Sequence, residues 1–327
     1  MSKPRVGFLG TGWIGRHRME AIVEAGTVEV AGIADPSPDM VAEARKLAPD
    51  APVVDGLDGL LALGLDGLVI ATPSALHAEQ SIAALNAGVA VFCQKPLGRT
   101  AEEARAVVAA ARAADRLLSV DFSYRFQDGT RRVAELARSG ALGRVFAADL
   151  VFHNAYGPDK PWFYDPKFAG GGCVMDLGVH LVDLALWVLG FPEVTDVRSQ
   201  LFTGGEPLTG SDRVEDFAVA QLELAGGASV RLACSWRLHA GQEAVIAADF
   251  YGTDGGASQR NVGGSFYDFE SRHLTGTSHA VMTRPPEAWG GRAAADWARR
   301  LAAGERFDAE AEGLVRVAEV IDRIYGR

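Results

Sequence analysis

Cysteine is scarce in this chain: three occur among 327 residues, at positions 93, 173 and 234. Three widely separated cysteines do not form a disulfide framework, and they lack the close spacing of a zinc cluster. We therefore expect Cys93, Cys173 and Cys234 to be buried or site-adjacent thiols. The sequence also lacks low-complexity tracts and blocks of like charge, which is typical of an ordered globular protein.

A basic excess is lacking as well, because 32 Lys and Arg residues stand against 42 Asp and Glu residues, giving a formal net charge of -10. Negative charge repels phosphate backbones and anionic lipids, so neither nucleic acid nor a membrane is an expected partner. We find no uninterrupted apolar run long enough to span a bilayer and no secretory signal at the N-terminus. A cytoplasmic location is expected.

The length of the chain predicts two domains, and the two halves differ in their hydrophobic pattern. Through residue 122, short β-branched runs at 5–9, 28–34, 68–71, 89–93 and 117–122 alternate with amphipathic segments. This alternation predicts an α/β domain, a doubly wound parallel sheet, over residues 1–122. Between the last two runs, Thr100 and Glu103 have the spacing of a capping box that begins a helix.

Residues 123–327 are predicted to form an α+β domain with a largely antiparallel sheet. Residues 230–238 alternate apolar and polar side chains, as in a half-buried strand, and residues 217–224 and 244–251 also have strand character. Helical patterns at 292–303 and 309–325 close the chain.

A dinucleotide fingerprint follows the first predicted strand. In Gly10-Thr11-Gly12-Trp13-Ile14-Gly15, the glycines permit a tight turn, close approach of a pyrophosphate and close packing of helix on sheet. Asp35 ends the second strand, where an acidic side chain can accept the ribose hydroxyls. Asp35 could instead cap the turn that contains Pro36, but together the two features favour dinucleotide binding.

Two further stretches carry polar groups suited to catalysis. Gln94-Lys95-Pro96 follows the fourth strand, at the edge where open α/β sheets bind ligands. After a run of glycines, Asp176, His180 and Asp183 are spaced to share one helix face. Side chains on such a face are often merely solvated, and a metal site there would need further ligands at suitable spacing.

These motifs, together with Ala71-Thr72-Pro73 and His77, resemble the glucose-fructose oxidoreductase, inositol dehydrogenase and MocA family in order and approximate spacing over essentially the whole chain. The resemblance implies a Rossmann domain over residues 1–122 and a second domain over residues 123–327 that binds substrate and mediates oligomerisation through an open sheet. It also implies an active site between the two domains, with Lys95, Asp176 and His180 in the catalytic positions. It also implies cofactor contacts from Thr72, Pro73, His77, Gln94, Lys95 and Trp162.

Two residues depart from the family pattern. The usual Glu-Lys-Pro is here Gln94-Lys95-Pro96, so a neutral amide replaces a carboxylate that could tune the lysine. Phe163 stands where many relatives have arginine after the tryptophan that lies next to nicotinamide.

The residue types suit oxidation of an alcohol, in which a base removes the hydroxyl proton as hydride leaves. His180 is the expected base, Asp176 would orient it, and Lys95 would hydrogen-bond to the substrate oxygen. Asp183 could be a structural partner or a substrate contact. Further candidates for the pocket are Tyr124, Arg125, His153, Tyr156, Lys160 and Trp162. The predicted substrate-binding residues are Lys95, Tyr124, Arg125, His153, Tyr156, Asp176 and His180.

The predicted function is NAD-dependent hydride transfer to or from a sugar, cyclitol or related polyol, with NADP a less suitable cofactor because Asp35 would repel its extra phosphate. Two alternatives are an NAD-dependent glycosidase that oxidises its sugar transiently and a non-catalytic nucleotide-binding sugar sensor. Residues 145–152 have large apolar side chains in both alternating registers, which predicts a homodimer or homotetramer assembled through the second sheet.

Overall fold

The computed structural model describes residues 2–327. The strands are β1 (Arg5–Leu9), β2 (Glu29–Ala34), β3 (Gly67–Ile70), β4 (Ala90–Cys93), β5 (Leu118–Val120), β6 (Val145–Asn154), β7 (Val194–Thr203), β8 (Glu206–Pro207), β9 (Phe217–Leu224), β10 (Ser229–Ser235), β11 (Ala244–Gly252), β12 (Gly256–Asn261), β13 (Phe269–Thr275) and β14 (Ser278–Thr283).

The helices are α1 (Trp13–Ala25), α2 (Pro38–Arg45), α3 (Gly56–Leu61), α4 (Ser74–Asn86), α5 (Ala101–Ala114), α6 (Asp128–Ser139), α7 (Pro166–Ala169), α8 (Val179–Val188), α9 (Arg292–Ala302) and α10 (Glu312–Ile324). Short 3-10 turns lie at Ser123–Phe126, Pro161–Tyr164 and Ala309–Ala311, and a π-helical turn spans Val174–Gly178.

The chain forms two compact units. Unit 1 comprises residues 1–123 and 291–315, and unit 2 comprises residues 124–290 and 316–327. The predicted boundary after residue 122 lies next to the first crossing. Helix α9, which was placed with the second domain, instead belongs to unit 1, because it packs on α1 and β4. Its fully buried Trp297 lies beside Phe92 of β4, with ring centroids 5.8 Å apart.

Unit 1 contains a parallel sheet in the order β2-β1-β3-β4-β5, which confirms the predicted α/β class. An isolated parallel bridge joins Val53 to Ile33 of β2. If Val53 is counted as a strand, the order becomes the 3-2-1-4-5-6 arrangement of dinucleotide-binding sheets. The change of direction in that order falls between β1 and β3, where ligands of such sheets bind.

The predicted start of α5 is confirmed with one difference. The hydroxyl of Thr100 accepts a hydrogen bond from the backbone N–H of Glu103 at 3.2 Å. In a capping box the Glu103 carboxylate would accept the N–H of Thr100, but here it accepts that of Arg99 at 2.7 Å. Both bonds still satisfy groups that have no partner within the helix.

Unit 2 contains a nine-stranded sheet in the order β14-β13-β12-β11-β6-β10-β9-β7-β8. All neighbours are antiparallel except β6 and β10, so the prediction of a largely antiparallel sheet is confirmed. The strand predicted at 230–238 ends at Ser235. Arg237 adopts a φ of 58°, in the left-handed region, so the chain cannot continue as a strand.

The segment Pro166–Val188 is apolar on average, although Lys167, Asp176, His180 and Asp183 interrupt it. By length and composition alone its 23 residues could cross a membrane, although 89% of the most apolar window is buried inside the protein. Helix α8, which ends this segment, has buried residues on every side, as expected for the core helix of a large domain. Together with α6 it packs on the sheet face that holds Leu150 and Phe152.

Candidate active site

The glycines of the fingerprint have the conformations that a dinucleotide turn requires. Gly10 has a φ of 83°, and a Cβ at Gly15 would lie 2.2 Å from the carbonyl oxygen of Gly10. A Cβ at Gly12 would meet no atom within 4 Å, so this side of the turn is open to an approaching group. Substitution of Gly10 or Gly15 would therefore disturb the turn, whereas Gly12 leaves room for a ligand.

Helix α1 begins at this turn and presents its first N–H groups without a side-chain cap. Its first turn contains no acidic residue, and Gly12 at the N-cap provides no side-chain acceptor. The free N–H groups and the helix dipole are suited to an anion such as a pyrophosphate. Thr11 is buried beside this turn, whereas Trp13 is 57% exposed and Ile14 is half-buried.

Asp35 is held at the end of β2 by backbone groups. Its Oδ2 accepts the N–H of Thr11 at 2.6 Å, and its Oδ1 accepts the N–H of Ser37 at 2.8 Å. The turn interpretation of Asp35 is thus partly correct, since the carboxylate does organise the Pro36 turn. The same bonds join Asp35 to the fingerprint, which places its carboxylate next to the predicted dinucleotide turn.

His77 connects two loops at the carboxyl edge of the parallel sheet. One ring nitrogen lies 2.8 Å from the carbonyl oxygen of Thr72, and the other lies 2.6 Å from that of Pro96. Burial lowers the pKa of His77, opposed by its two backbone contacts. Because the ring is enclosed by these contacts, His77 holds the Thr72-Pro73 loop and the Lys95-Pro96 loop together.

Lys95 emerges directly after β4, between two buried residues, and its own side chain is half-buried. Gln94, which precedes it, is 7% exposed, and its side-chain amide donates a hydrogen bond to Asp121 at 2.6 Å. The fingerprint, Asp35, Thr72 and Lys95 therefore follow β1, β2, β3 and β4 at one edge of the sheet. Their residue types fit a nicotinamide dinucleotide, which would supply the hydride chemistry when bound.

In unit 2 the glycine run leads into a π-helical turn that contains Asp176, and α8 continues with His180. The prediction of uniform α-helical spacing is wrong at Asp176, because a π turn contains more residues than an α turn and rotates the following side chains. The indole N–H of Trp236 donates to Asp176 Oδ2 at 3.0 Å. Trp236 was not identified from the sequence, where it looked like one of the inward positions of a strand.

Aromatic rings surround His180. The ring of Tyr124 lies 5.0 Å from that of His180 in an edge-on arrangement, and Phe152 lies 6.4 Å away. Burial raises the pKa of Tyr124 above its usual range, and the charge of Asp176 adds to this shift. Tyr124 is therefore a neutral hydroxyl donor near the histidine. Unit 2 thus brings together Tyr124, Asp176 and His180 of the predicted substrate set.

Asp183 and Arg125 form a buried pair. Asp183 is 1% exposed, and two guanidinium nitrogens of Arg125 bond to its two carboxylate oxygens, with Nε at 2.8 Å from Oδ2. Arg125 also lies over the rings of Trp187 and Phe191. Burial raises the pKa of Asp183, and the guanidinium opposes that shift. Of the two interpretations of Asp183, the structural one therefore fits, and Arg125 is engaged in the same contact.

The remaining predicted pocket residues of unit 2 have partners of their own. His153 lies 2.8 Å from the hydroxyl of Ser235, and burial lowers its pKa. Tyr156 is 48% exposed, and Lys160 pairs with Asp159 at 3.1 Å. Trp162 stacks on Phe163 with ring centroids 3.8 Å apart. Phe163, the departure from the family arginine, thus supports the tryptophan by stacking.

Glu215 is the main functional-site residue that the sequence did not reveal. It is 1% exposed, and its carboxylate accepts the N–H groups of Gly172 at 3.0 Å and Val174 at 2.8 Å. The hydroxyl of Tyr325 donates to the same carboxylate at 2.8 Å. A Cβ at Gly172 would lie 1.9 Å from the Glu215 carbonyl oxygen, so the glycine run allows this close approach. The sequence around it, Asp212-Arg213-Val214-Glu215-Asp216, is rich in charge and gives no sign that Glu215 is buried.

The three cysteines are free and buried, which confirms the expectation that they are buried thiols. Cys173 precedes the π-helical turn, and its Sγ lies 3.8 Å from that of Cys234. Burial raises the pKa of Cys173 well above its usual range, so this thiol stays protonated.

Comparisons with known proteins agree with this geometry. The profile described as an oxidoreductase family with an NAD-binding Rossmann fold matches residues 4–122, and the profile of the GFO/IDH/MocA C-terminal domain matches residues 130–258. Both units thus carry the signatures of one class of oxidoreductases that bind a nicotinamide dinucleotide. The chain belongs to the GFO/IDH/MocA family.

Two curated relatives and one solved structure illustrate the similarity. The chain is 30% identical to D-glucoside 3-dehydrogenase of Escherichia coli over 61% of its length and 60% of the relative. It is 29% identical to levoglucosan dehydrogenase of Pseudarthrobacter phenanthrenivorans over 68% and 63%. The chain thus spans about three fifths of the length of these relatives. GenD2 from gentamicin A biosynthesis, solved with NAD, is 25% identical with a TM-score of 0.84, covering 100% of this chain and 94% of that one.

The anchoring role of Glu215 predicts the effect of Tyr325→Phe. This change removes one hydrogen bond to a buried carboxylate, so we expect the free energy of unfolding to fall by about 1.5–3 kcal/mol. Urea denaturation of the purified protein measures the change. Tyr267→Phe is the matched control, because Tyr267 is 55% exposed, and it should leave the free energy of unfolding nearly unchanged. Equal stability of Tyr325→Phe and the unmodified protein would contradict the anchor.

Proposed function

We propose that the chain is an NAD-dependent oxidoreductase that transfers hydride between nicotinamide and a hydroxyl-bearing or carbonyl carbon of a sugar, cyclitol or related polyol. The observation that carries the proposal is the carboxyl edge of the parallel sheet, where the dinucleotide turn, Asp35 and Lys95 follow adjacent strands. The relatives named above are a D-glucoside 3-dehydrogenase and a levoglucosan dehydrogenase, which supports the substrate class.

The chain's own residues would move the proton. His180 is the base that accepts the hydroxyl proton, and Lys95 donates a hydrogen bond to the oxygen on which negative charge develops. Asp176, fixed by Trp236, stabilises the charged imidazole. The ring of Tyr124 packs edge-on against His180 and limits its rotation. A panel of aldoses, glycosides, cyclitols and anhydrosugars, assayed by NADH absorbance in both directions, identifies the substrate.

The assignment of the proton-transfer groups predicts the effect of three substitutions. His180→Ala and Lys95→Ala should each lower kcat by roughly a hundred- to ten-thousandfold, while NADH affinity changes little. Asp176→Asn should lose less activity, because the amide keeps the bond from Trp236. His279→Ala, on the exposed strand β14, is the control and should keep full activity. Normal turnover of His180→Ala with an unchanged pH profile would assign the proton to another group.

The position of Asp35 predicts a preference for NAD over NADP. A 2′-phosphate would meet the negative charge of Asp35, and the following Pro36-Ser37-Pro38 contains no basic side chain to neutralise it. We expect NADH to bind at least tenfold more tightly than NADPH, and Asp35→Ser to reduce that ratio; titration of cofactor fluorescence measures both. NADPH binding as tight as NADH binding to the unmodified protein would place the ribose contact elsewhere.

We also propose that the chain forms a homodimer or homotetramer through the sheet of unit 2. Helices α6 and α8 pack on the face with Leu150 and Phe152. On the opposite face, Val151 lies between Ala233 and Ala247 of the neighbouring strands. These small apolar side chains make a flat surface that a second copy can cover.

Charge on this face supports a two-fold contact. Arg231 and Asp149 form an exposed ion pair with a distance of 2.9 Å between Nε and Oδ1. In a symmetric dimer, each copy could offer both charges to its partner. We expect Val151→Lys to convert the oligomer to a monomer, whereas Val151→Thr keeps it, as measured by light scattering. A monomer at micromolar concentration in the unmodified protein would reject the proposal.

A further inference from the structure

Arg18, Gln94 and Asp121 form a buried polar cluster in unit 1. Asp121 is 1% exposed, and Arg18 and Gln94 are each 7% exposed. Arg18 Nε donates to Asp121 Oδ2 at 2.5 Å, and Gln94 Nε2 donates to the same oxygen at 2.6 Å. The cluster therefore contains one cation, one anion and one neutral amide, and its charges balance.

The cluster joins three elements at the carboxyl edge of the sheet. Arg18 lies on α1, the helix that begins at the dinucleotide turn, whereas Asp121 follows β5. Gln94 follows β4 and immediately precedes Lys95. The backbone N–H of Gln94 donates to the carbonyl oxygen of Ile70 at 2.9 Å, and that of Asp121 donates to Cys93 at 2.9 Å. Side-chain and backbone bonds thus hold the peptide from which Lys95 emerges.

The cluster also explains why an amide occupies position 94. A glutamate there would place a second carboxylate within hydrogen-bond distance of Asp121, with a single guanidinium to neutralise both. Two carboxylates that share a buried site cannot both ionise without a large penalty. Gln94 avoids that repulsion, because its N–H group donates to Asp121.

We propose that Asp121 is a positioning residue for Lys95, acting through Gln94, and that the carboxylate and the amide can exchange places between positions 121 and 94. The role of Lys95 in turnover rests on the proposed function above. The interchange of the carboxylate and the amide between positions 121 and 94 is independent of that function.

The charged groups around position 94 define the expected pH behaviour of Gln94→Glu. Arg18 faces the cluster from α1, Asp121 faces it from the end of β5, and Lys95 is the next residue in the chain. His77 contacts the Pro96 carbonyl oxygen of the Lys95 loop, and burial lowers its pKa. Burial raises the pKa of Cys93 to about 12, so its thiol carries no charge in the tested range. Because His77 and Cys93 are present in every variant, a pH response that differs between Gln94→Glu and the unmodified protein reports the carboxylate pair.

Gln94→Glu should create a new pH dependence of stability. Repulsion raises the folded-state pKa of one carboxyl above its unfolded value. The stability of the folded variant is therefore retained at low pH, where that carboxyl is protonated, and falls as pH rises through the folded-state pKa. We expect the Tm of Gln94→Glu to fall relative to the unmodified protein between about pH 5 and pH 9. In Gln94→Glu/Asp121→Asn, which again has one carboxylate beside Arg18, this relative fall should disappear.

The chemical reactivity of the Lys95 amine measures whether its position has changed. The rate of reductive methylation of Lys95, relative to the exposed Lys46, is measured by peptide mass spectrometry and does not require a substrate. Gln94→Met keeps the Arg18–Asp121 pair and removes only the hydrogen bond from the Gln94 amide, so it tests the role of Gln94 even if the double variant fails to fold. We expect a severalfold change of the relative rate in Gln94→Met and its restoration in the double variant.

With a substrate in hand, kcat should fall about ten- to a hundredfold in Gln94→Met and Gln94→Glu and recover in the double variant. A Tm of Gln94→Glu that follows the unmodified protein across the pH range would overturn the proposal. So would a double variant with Lys95 reactivity no closer to the unmodified protein than that of Gln94→Glu. Absence of turnover by the unmodified protein would reject the proposed function and leave the Tm and reactivity results to decide this inference.

Discussion

The buried carboxylate of Glu215 is the contact on which the candidate catalytic segment depends. The N–H groups at the start of a helical run have no partner within the helix, and here they lie inside the protein. Glu215 accepts those of Gly172 and Val174, and its backbone oxygen accepts that of Cys173. The glycine run follows from this contact, because a side chain at Gly172 would displace the backbone of Glu215. The start of the segment that carries Asp176 and His180 is thereby fixed in place.

The two aspartates that follow this start, Asp176 and Asp183, have different contacts. Both carboxylate oxygens of Asp183 accept hydrogen bonds from Arg125 inside unit 2. Asp176 lies in the π-helical turn, is less buried than its neighbours and receives the indole N–H of Trp236. Such turns occur frequently at functional sites, since they re-aim side chains without ending the helix. One aspartate therefore stabilises the fold, and the other remains suited to chemistry.

Features with a local cause could be predicted from the sequence. The fingerprint glycines, the Thr100 cap and the parallel strands follow from backbone geometry and hydrophobic period, and the structure has them at nearly the expected positions. The return of α9 to unit 1 depends on Trp297 reaching Phe92, far away in the chain. The pairing of Arg125 with Asp183 is likewise a tertiary contact. Spacing along the sequence carries no signal for either.

Within the sheet of unit 2, β6 and β10 are the one parallel pair, and this pairing affects how the unit can fold. Parallel neighbours need a long crossover connection, and residues 155–228 supply it. That connection contains the π-helical turn, α8 and three strands, so the candidate catalytic segment lies within the loop that closes the centre of the sheet. Pairing of β6 with β10 closes this loop and therefore costs conformational entropy. The central pair is therefore expected to form later in folding than the pair of β9 with β10, which only residues 225–228 connect.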